Sequence, residues 1–199
     1  MKSMIFDLGG VVLSRDKKLC SSNLVAFLDI IHANPTPTFW LEFDRGVLTW
    51  EEMLLIMADT MQITRNQCDD VLREAIEQTY PAPATCQLIE DLKKCGTKIY
   101  ALSNMSFEFI SAFHKFPIFK YFDDEIISCH CNLIKPERAI YELAANKFGI
   151  IPAETLFIDD KPVNTRAAAD FGFNVFNFDR NNPELSCGEL REMLLEGSL

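Results

Sequence analysis

The stretch IFDLGGVV, residues 5–12, decides how this chain is read. An apolar run ends on a single carboxylate, Asp7, and two glycines, Gly9 and Gly10, follow almost at once. A run without polar alternation that stops at a charged residue predicts a strand buried on both faces, as in parallel sheets. Ligands of open α/β sheets sit beyond the carboxyl ends of the strands, so Asp7 stands where a ligand would be met. An aspartate there also serves as an ordinary cap for the next turn, and alone it does not decide between the two roles.

Working outward, further runs of the same kind lie at Lys98–Leu102, Leu156–Ile158 and Phe173–Phe176, with a weaker one at Glu125–Ser128. Helical patterns separate them. PERAIYELAANKFG (136–149) puts Ile140, Leu143, Ala144 and Phe148 on one face, with Pro136 early and Gly149 as the stop. NTRAAADFG (164–172) is a shorter helix closed by Gly172. This alternation predicts βαβ units and a parallel sheet, an α/β fold flanked by helices, which the family resemblance described below implies to be a Rossmann-like core.

Residues 15–80 read differently, with no convincing strand. Thr49 with Glu52, and Thr64 with Gln67, each form a capping-box pattern ahead of an apolar-periodic segment. The aromatic-rich PTPTFWLEFDRG (35–46) precedes the first of these. The expected organisation is a core of residues 1–14 and 81–199, with 15–80 inserted after the first strand as a small helical cap.

With 199 residues, 48% of them hydrophobic, the chain can bury a real core. A net charge of -10 argues against nucleic-acid and anionic-membrane partners. It also means that a metal or local cations must offset the field if the substrate is an anion. No run reaches transmembrane length and MKSMIFDL lacks a signal-peptide layout, so a cytoplasmic location is expected. Seven cysteines, an odd number without a CxxC pair, indicate buried reduced thiols rather than a disulfide framework. The SCHC segment (128–131), read as extended, is a poor zinc site, because ligands so close together do not converge on one ion.

The polar residues that follow the apolar runs form a set: Asp7; Ser103 and Asn104; Lys135 in NLIKPE; Asp159 and Asp160; and Asn164 one helical turn on. Each has a plain structural role as cap, turn or solvated side chain. Together they suit phosphoryl transfer through an aspartyl-phosphate, in which a carboxylate nucleophile splits one displacement into two. Asp7 and a phosphate repel each other, so a divalent cation must bridge them, and Mg²⁺ takes one or two carboxylates while keeping several waters. Asp7, Asp160 and the carbonyl of Gly9 are its candidate ligands, with Asp159 and Asn164 orienting that shell. Lys135 neutralises the nucleophile and the transferring group. The Ser103 hydroxyl, with N–H groups near Asn104, holds phosphate oxygens.

Four motifs carry a resemblance to the haloacid dehalogenase superfamily of hydrolases: FDLGGVV (6–12), LSN (102–104), KPE (135–137) and IDDKPVN (158–164). The resemblance implies a Mg²⁺-dependent phosphatase acting on a small phosphorylated metabolite. Arg45-Gly46 followed by LTWEEM is similar to the cap of the sugar-phosphatase branch, which includes α-D-glucose-1-phosphate phosphatases. Within the cap, Phe39, Trp40, Phe43 and Arg45 are candidates to face the substrate, although cap-core packing accounts for the aromatics and a helix end for Arg45.

One position departs from the family pattern, Asp-x-Asp, whose second acid serves as general acid and base. Here it is Gly9. The sugar-phosphatase branch is similar in carrying Asp-Leu-Gly, so the glycine does not by itself imply an inert protein. It leaves the acid unassigned, with Asp16 the nearest later carboxylate, and it suggests substrates with acidic leaving groups such as anomeric sugar phosphates. Two other readings stand beside the phosphatase. One is a metal-independent haloacid dehalogenase, against which the Asp159–Asp160 pair argues, and the other is a non-catalytic interaction domain, which Gly9 favours. A phosphomutase is a weaker option. Of the histidines, His32 and His114 read as packing residues, and His130 as a candidate for the crevice wall.

Overall fold

Every residue of the run Ser3–Phe6 is buried, and its side chains alternate between two hydrophobic clusters. Met4 and Phe6 join one cluster with Ile99, Ala101, Leu156 and Ile158. Ile5 joins the other with Tyr100, Leu102 and Phe157. This period of two places apolar side chains on both faces of one sheet, the reason these runs carry no polar alternation.

The computed structural model describes residues 2–196. Met1 and residues 197–199, which the expected core segments include, lie outside the described residues. The strands are β1 (Ser3–Phe6), β2 (Leu13–Arg15), β3 (Thr79–Pro81), β4 (Lys98–Ser103), β5 (Asp124–Ile127), β6 (Thr155–Asp159) and β7 (Asn174–Asn177). The helices are α1 (Ser22–Ile31), α2 (Thr38–Asp44), α3 (Trp50–Met61), α4 (Arg65–Glu77), α5 (Pro83–Lys94), α6 (Phe107–Phe113), α7 (Ser128–Cys131), α8 (Arg138–Phe148), α9 (Pro162–Phe171) and α10 (Pro183–Arg191).

Five strands form a parallel sheet in the order β5-β4-β1-β6-β7. The first strand is therefore central. Phe6 pairs with Ala101 on one side and with Ile158 on the other, so Asp7, Ser103 and Asp159 end three neighbouring strands at the same edge. Adjacent strands lie about 4.8 Å apart, which places these three residues side by side. The fold is the α/β, Rossmann-like one expected, with the strands within a residue or two of the apolar runs.

Four details differ from the sequence reading. Strands β2 and β3 form an antiparallel ribbon, Leu13 opposite Pro81 and Arg15 opposite Thr79, where no strand was expected. At three residues each, they are too short to show a period. Helix α8 begins at Arg138, past Pro136, and buries Tyr141 where Leu143 was expected, Leu143 being half-buried. SCHC is a helical turn, α7, not an extended stretch. All seven cysteines are free thiols, but only Cys68, Cys129 and Cys187 are buried; Cys20, Cys86 and Cys131 are half-buried and Cys95 is exposed.

Helices α1–α4 lie between the two ribbon strands, and both capping boxes are formed, at Thr49/Glu52 and Thr64/Gln67. Leu24, Phe27, Phe43, Met53, Met57 and Leu72 of these helices share one cluster with Phe109 and Phe113 of α6. Among the described residues, no helix is long and apolar enough to cross a membrane.

Candidate active site

A cavity of about 270 Å³ opens at the carboxyl edge of the sheet. Asp7, Gly9, Ser103, Asn104, Lys135, Asp160 and Asn164 all line it. Of the sequence-derived site residues, Asp159 alone stands behind the lining, where it holds the others.

Lys135 organises the floor. Its side chain is 1% exposed, and its three N–H donors are all used: to Leu102 O at 2.8 Å, Asp159 Oδ2 at 2.6 Å and Asp7 Oδ1 at 2.9 Å. Burial would lower its pKa, but the charges of Asp159 and Asp7 outweigh burial and raise it. A lysine before proline commonly points to solvent, and here it is a buried cation between two strand ends. Asn104 holds its loop through a reciprocal pair, Nδ2 donating to Lys135 O at 2.9 Å and Oδ1 accepting from Lys135 N at 2.8 Å. The Asn104 side chain is thereby committed to positioning Lys135, which leaves only its backbone for phosphate.

The carboxylates divide by what surrounds them. Asp159 accepts from Lys135, from the Lys161 N–H at 2.8 Å, and from Asn164 Nδ2 at 3.0 and 3.1 Å, so both of its oxygens are satisfied. Asp7 Oδ1 accepts from Lys135 and from the Leu8 N–H at 2.7 Å, whereas Oδ2 has no hydrogen-bond partner among the described residues. Asp160 Oδ2 meets Arg180 at 3.2 Å, while its Oδ1 is buried without any partner. Burial, followed by the charges of Asp7 and Asp159, pushes the Asp160 carboxyl up to about 6.

Asp7, Asp159 and Asp160 bring ligand oxygens within 4.8 Å of one another. Three carboxylates against the Lys135 ammonium and the Arg180 guanidinium, with a buried oxygen left unpaired, leave the cluster one positive charge short. All of its donors are hard oxygens, so the residues present fit a Mg²⁺ ion.

The two glycines have exchanged the roles that their order suggests. A Cβ on Gly9 would meet open space, so no packing demand holds that position to glycine. Gly10 has φ +82°, and a Cβ there would lie 2.7 Å from Asp160 Oδ2. The close approach that needs glycine is at residue 10.

Two features escaped the sequence. Asp44, the last residue of α2, is 8% exposed and lines the cavity. Burial pushes its carboxyl up to about 7. Arg15, Lys17, Lys161 and Arg180 also line the cavity, supplying the local cations that a chain of net charge -10 needs near an anionic ligand. The lining also has an apolar part, contributed by Phe27, Leu28, Ile31, Trp40, Phe109 and Phe113.

Of the cap candidates, Trp40 lines the cavity. Phe43 is fully buried and packs against Trp40 and Trp50, and Phe39 packs partly buried against the same cluster. Arg45 is no free helix end: it pairs with Glu137 at 2.5 Å and donates to Asn132 O at 2.9 Å. Asp16 caps a short 3-10 turn by accepting from the Lys18 N–H, and it does not line the cavity. His130 is exposed against Phe107, and His114 pairs with Glu125, both outside the lining. His32 does line the cavity, at its exposed rim.

Comparisons with known proteins bear on the fold and the family. The sesquiterpene phosphatase astK of Aspergillus oryzae is 24% identical over 97% of this chain and 96% of its own length. The (S)-2-haloacid dehalogenase 4A of Burkholderia cepacia is 27% identical over 65% of this chain and 58% of its own. Mouse acyl-CoA dehydrogenase family member 10 is 24% identical over 97% of this chain, which spans 19% of that protein. Among solved structures, an enzyme from Bacteroides thetaiotaomicron in complex with magnesium and inorganic phosphate superposes with a TM-score of 0.75 at 22% identity. That likeness covers 90% of this chain and 95% of the other. Residues 1–172 match the family described as haloacid dehalogenase-like hydrolase, and the chain belongs to that family of hydrolases.

Proposed function

We propose that the protein is a Mg²⁺-dependent phosphatase of a small phosphorylated metabolite, a sugar phosphate being the favoured class. The observation that supports this reading most is the buried Asp160 Oδ1, without a partner among the described residues, in the same cavity as Asp7, whose Oδ2 is likewise free of hydrogen bonds.

Asp7, Asp160 and the Gly9 carbonyl hold the ion, which when bound supplies the charge that lets an anionic nucleophile meet an anionic phosphate. Asp7 Oδ2 is the nucleophile. Lys135 holds Asp7 through Oδ1 and neutralises charge on the transferring group, while Ser103 Oγ donates to a phosphate oxygen. Asp159, tied to Lys135, Lys161 and Asn164, positions the ammonium and the acidic cluster. Residues 15–80 form the cap, and the aromatic residues that α1 and α2 contribute to the lining, together with its cations, suit an organic group with an apolar face and polar edges.

Relatives that include both a phosphatase and a haloacid dehalogenase make the dehalogenase the second reading. A panel of phosphorylated metabolites and 2-haloacids, assayed with Mg²⁺ and with EDTA, separates the two. Phosphate release that EDTA and Asp7→Asn both abolish is the expected result. Halide release that survives EDTA would overturn it.

A further inference from the structure

Gly9 leaves the site without the acid that normally follows the nucleophile, yet the cavity is not short of carboxyls. Three acids line it: Asp7, Asp160 and Asp44. The first is the nucleophile and the second faces the ion, which leaves one unassigned. We propose that Asp44, brought by α2 from outside the four motifs, is the general acid that protonates the leaving oxygen and the general base that then activates water. This rests on the phosphatase reading above and assigns the step which that reading leaves open.

Three observations support it. First, Asp44 is only 8% exposed and lines the cavity, and its carboxyl accepts no hydrogen bond from any described residue, which leaves it free to meet a ligand there.

Second, its backbone is fixed by contacts that its neighbours make with core loops. Asp44 O accepts from Ser128 Oγ at 2.5 Å, and Ser128 Oγ accepts from the Met105 N–H at 2.8 Å. Arg45 forks onto Glu137, and Arg45 O accepts from Asn132 Nδ2 at 3.1 Å. Gly46, at φ +78°, sits so near Cys129 O that a Cβ would come within 2.9 Å of it. The loop at Met105, the turn α7 and the Asn132–Glu137 segment thus hold the end of α2 in place. A proton donor needs that fixed geometry, and a merely space-filling residue does not.

Third, Asp44 is poised to hold a proton. Burial raises its pKa to about 7, the next largest influences being the charges of Lys161, Asp7 and Lys135. A general acid works best when its pKa lies near the working pH.

The two steps balance. Asp7 Oδ2 attacks phosphorus, the bond from phosphorus to the leaving oxygen breaks, and the Asp44 proton passes to that oxygen, releasing the alcohol. Water then attacks the aspartyl-phosphate, its proton passes to the Asp44 carboxylate, and the bond from phosphorus to Asp7 breaks. Phosphate leaves, and both aspartates return to their starting forms.

The test compares leaving groups in the full-length protein with Mg²⁺. In Asp44→Asn, kcat/KM for glycerol 2-phosphate, whose alkoxide needs a proton, should fall by about 10²-fold or more. For p-nitrophenyl phosphate, whose phenolate leaves unaided, it should fall by less than about tenfold, with a burst of nitrophenol because water activation now limits turnover. Equal losses on both substrates, or no loss on either, would overturn the proposal. Wild type gives a reading that does not depend on the variant folding: kcat/KM for the glycerol ester should fall as the pH rises through about 7, and the ratio to the aryl ester should fall with it. A ratio that does not change with pH would also overturn it. Stabilisation by Mg²⁺ with beryllium fluoride, equal in wild type and Asp44→Asn, verifies that the nucleophile's site is intact. Asp7→Asn distinguishes the two levels: turnover of the aryl ester persisting in that variant sinks the phosphatase reading itself. Its loss there, alongside equal losses in Asp44→Asn, sinks only the role of Asp44.

Discussion

Replacing Asp44 by asparagine should make the metal-free protein more stable in alkaline solution, whatever it does to catalysis. The carboxyl is held at about 7 against a reference of 3.8, so the folded chain binds its proton more tightly than the unfolded chain does. Stability from such a raised carboxyl is fully present below the unfolded value and is lost as the pH climbs through the folded one. Three units at 1.36 kcal/mol each make the whole loss about 4 kcal/mol, of which about 2.5 kcal/mol falls between about pH 5 and pH 8.5. An amide cannot ionise, so Asp44→Asn escapes this loss, less whatever the new buried amide costs for want of partners. The difference between variant and wild type should widen by about 2.5 kcal/mol across that range, or roughly 5–10 °C in Tm for a chain of this size. Urea or thermal unfolding of both proteins at several pH values, in a chelator, measures it. A difference that stays flat from acid to alkali would show that Asp44 ionises freely, and the account of its burial would be wrong.

Two further expectations follow from the floor of the cavity. Lys135→Met removes the one ammonium between Asp7 and Asp159, and breaking a buried pair from one side costs about 3–5 kcal/mol. Chemical unfolding should show that loss with partial recovery on adding Mg²⁺, and a change under about 1 kcal/mol would contradict the pairing. Gly10→Ala forces a Cβ toward Asp160 Oδ2 and should abolish Mg²⁺ binding by calorimetry, whereas Gly9→Ala, with open space around it, should bind the ion as wild type does. Equal behaviour of the two would refute the assignment of close approach to residue 10.

What could be read from the chain depended on how local its cause was. Asp7, Ser103 and Asp159 were legible because each ends a run of apolar residues, and parallel pairing of three neighbouring strands carries all three to one edge. Both capping boxes were legible for the same reason, since their partners lie three residues apart. The burial of Lys135 was less so, because it depends on strand ends distant in the chain and on the clasp of Asn104. Asp44 was hidden altogether. In the sequence it sits in a Phe-Asp-Arg-Gly stretch that resembles a solvated helix end, and its burial arises from docking onto loops some sixty to ninety residues later. The ribbon escaped because three residues cannot display a period.

The fastening of α2 also bears on how the chamber would be entered. Asp44 to Gly46 seal one flank of the chamber against the loops at Met105, Ser128 and Glu137. Lys17, His32, Arg180 and Asn181, by contrast, line it while remaining exposed. That side is the doorway. On the phosphatase reading proposed above, a substrate passing it would enter head first, phosphate toward Asp7, with any long tail left trailing outside. Tolerance toward bulky tails should therefore be governed at this threshold and not by the nucleophile's own surroundings.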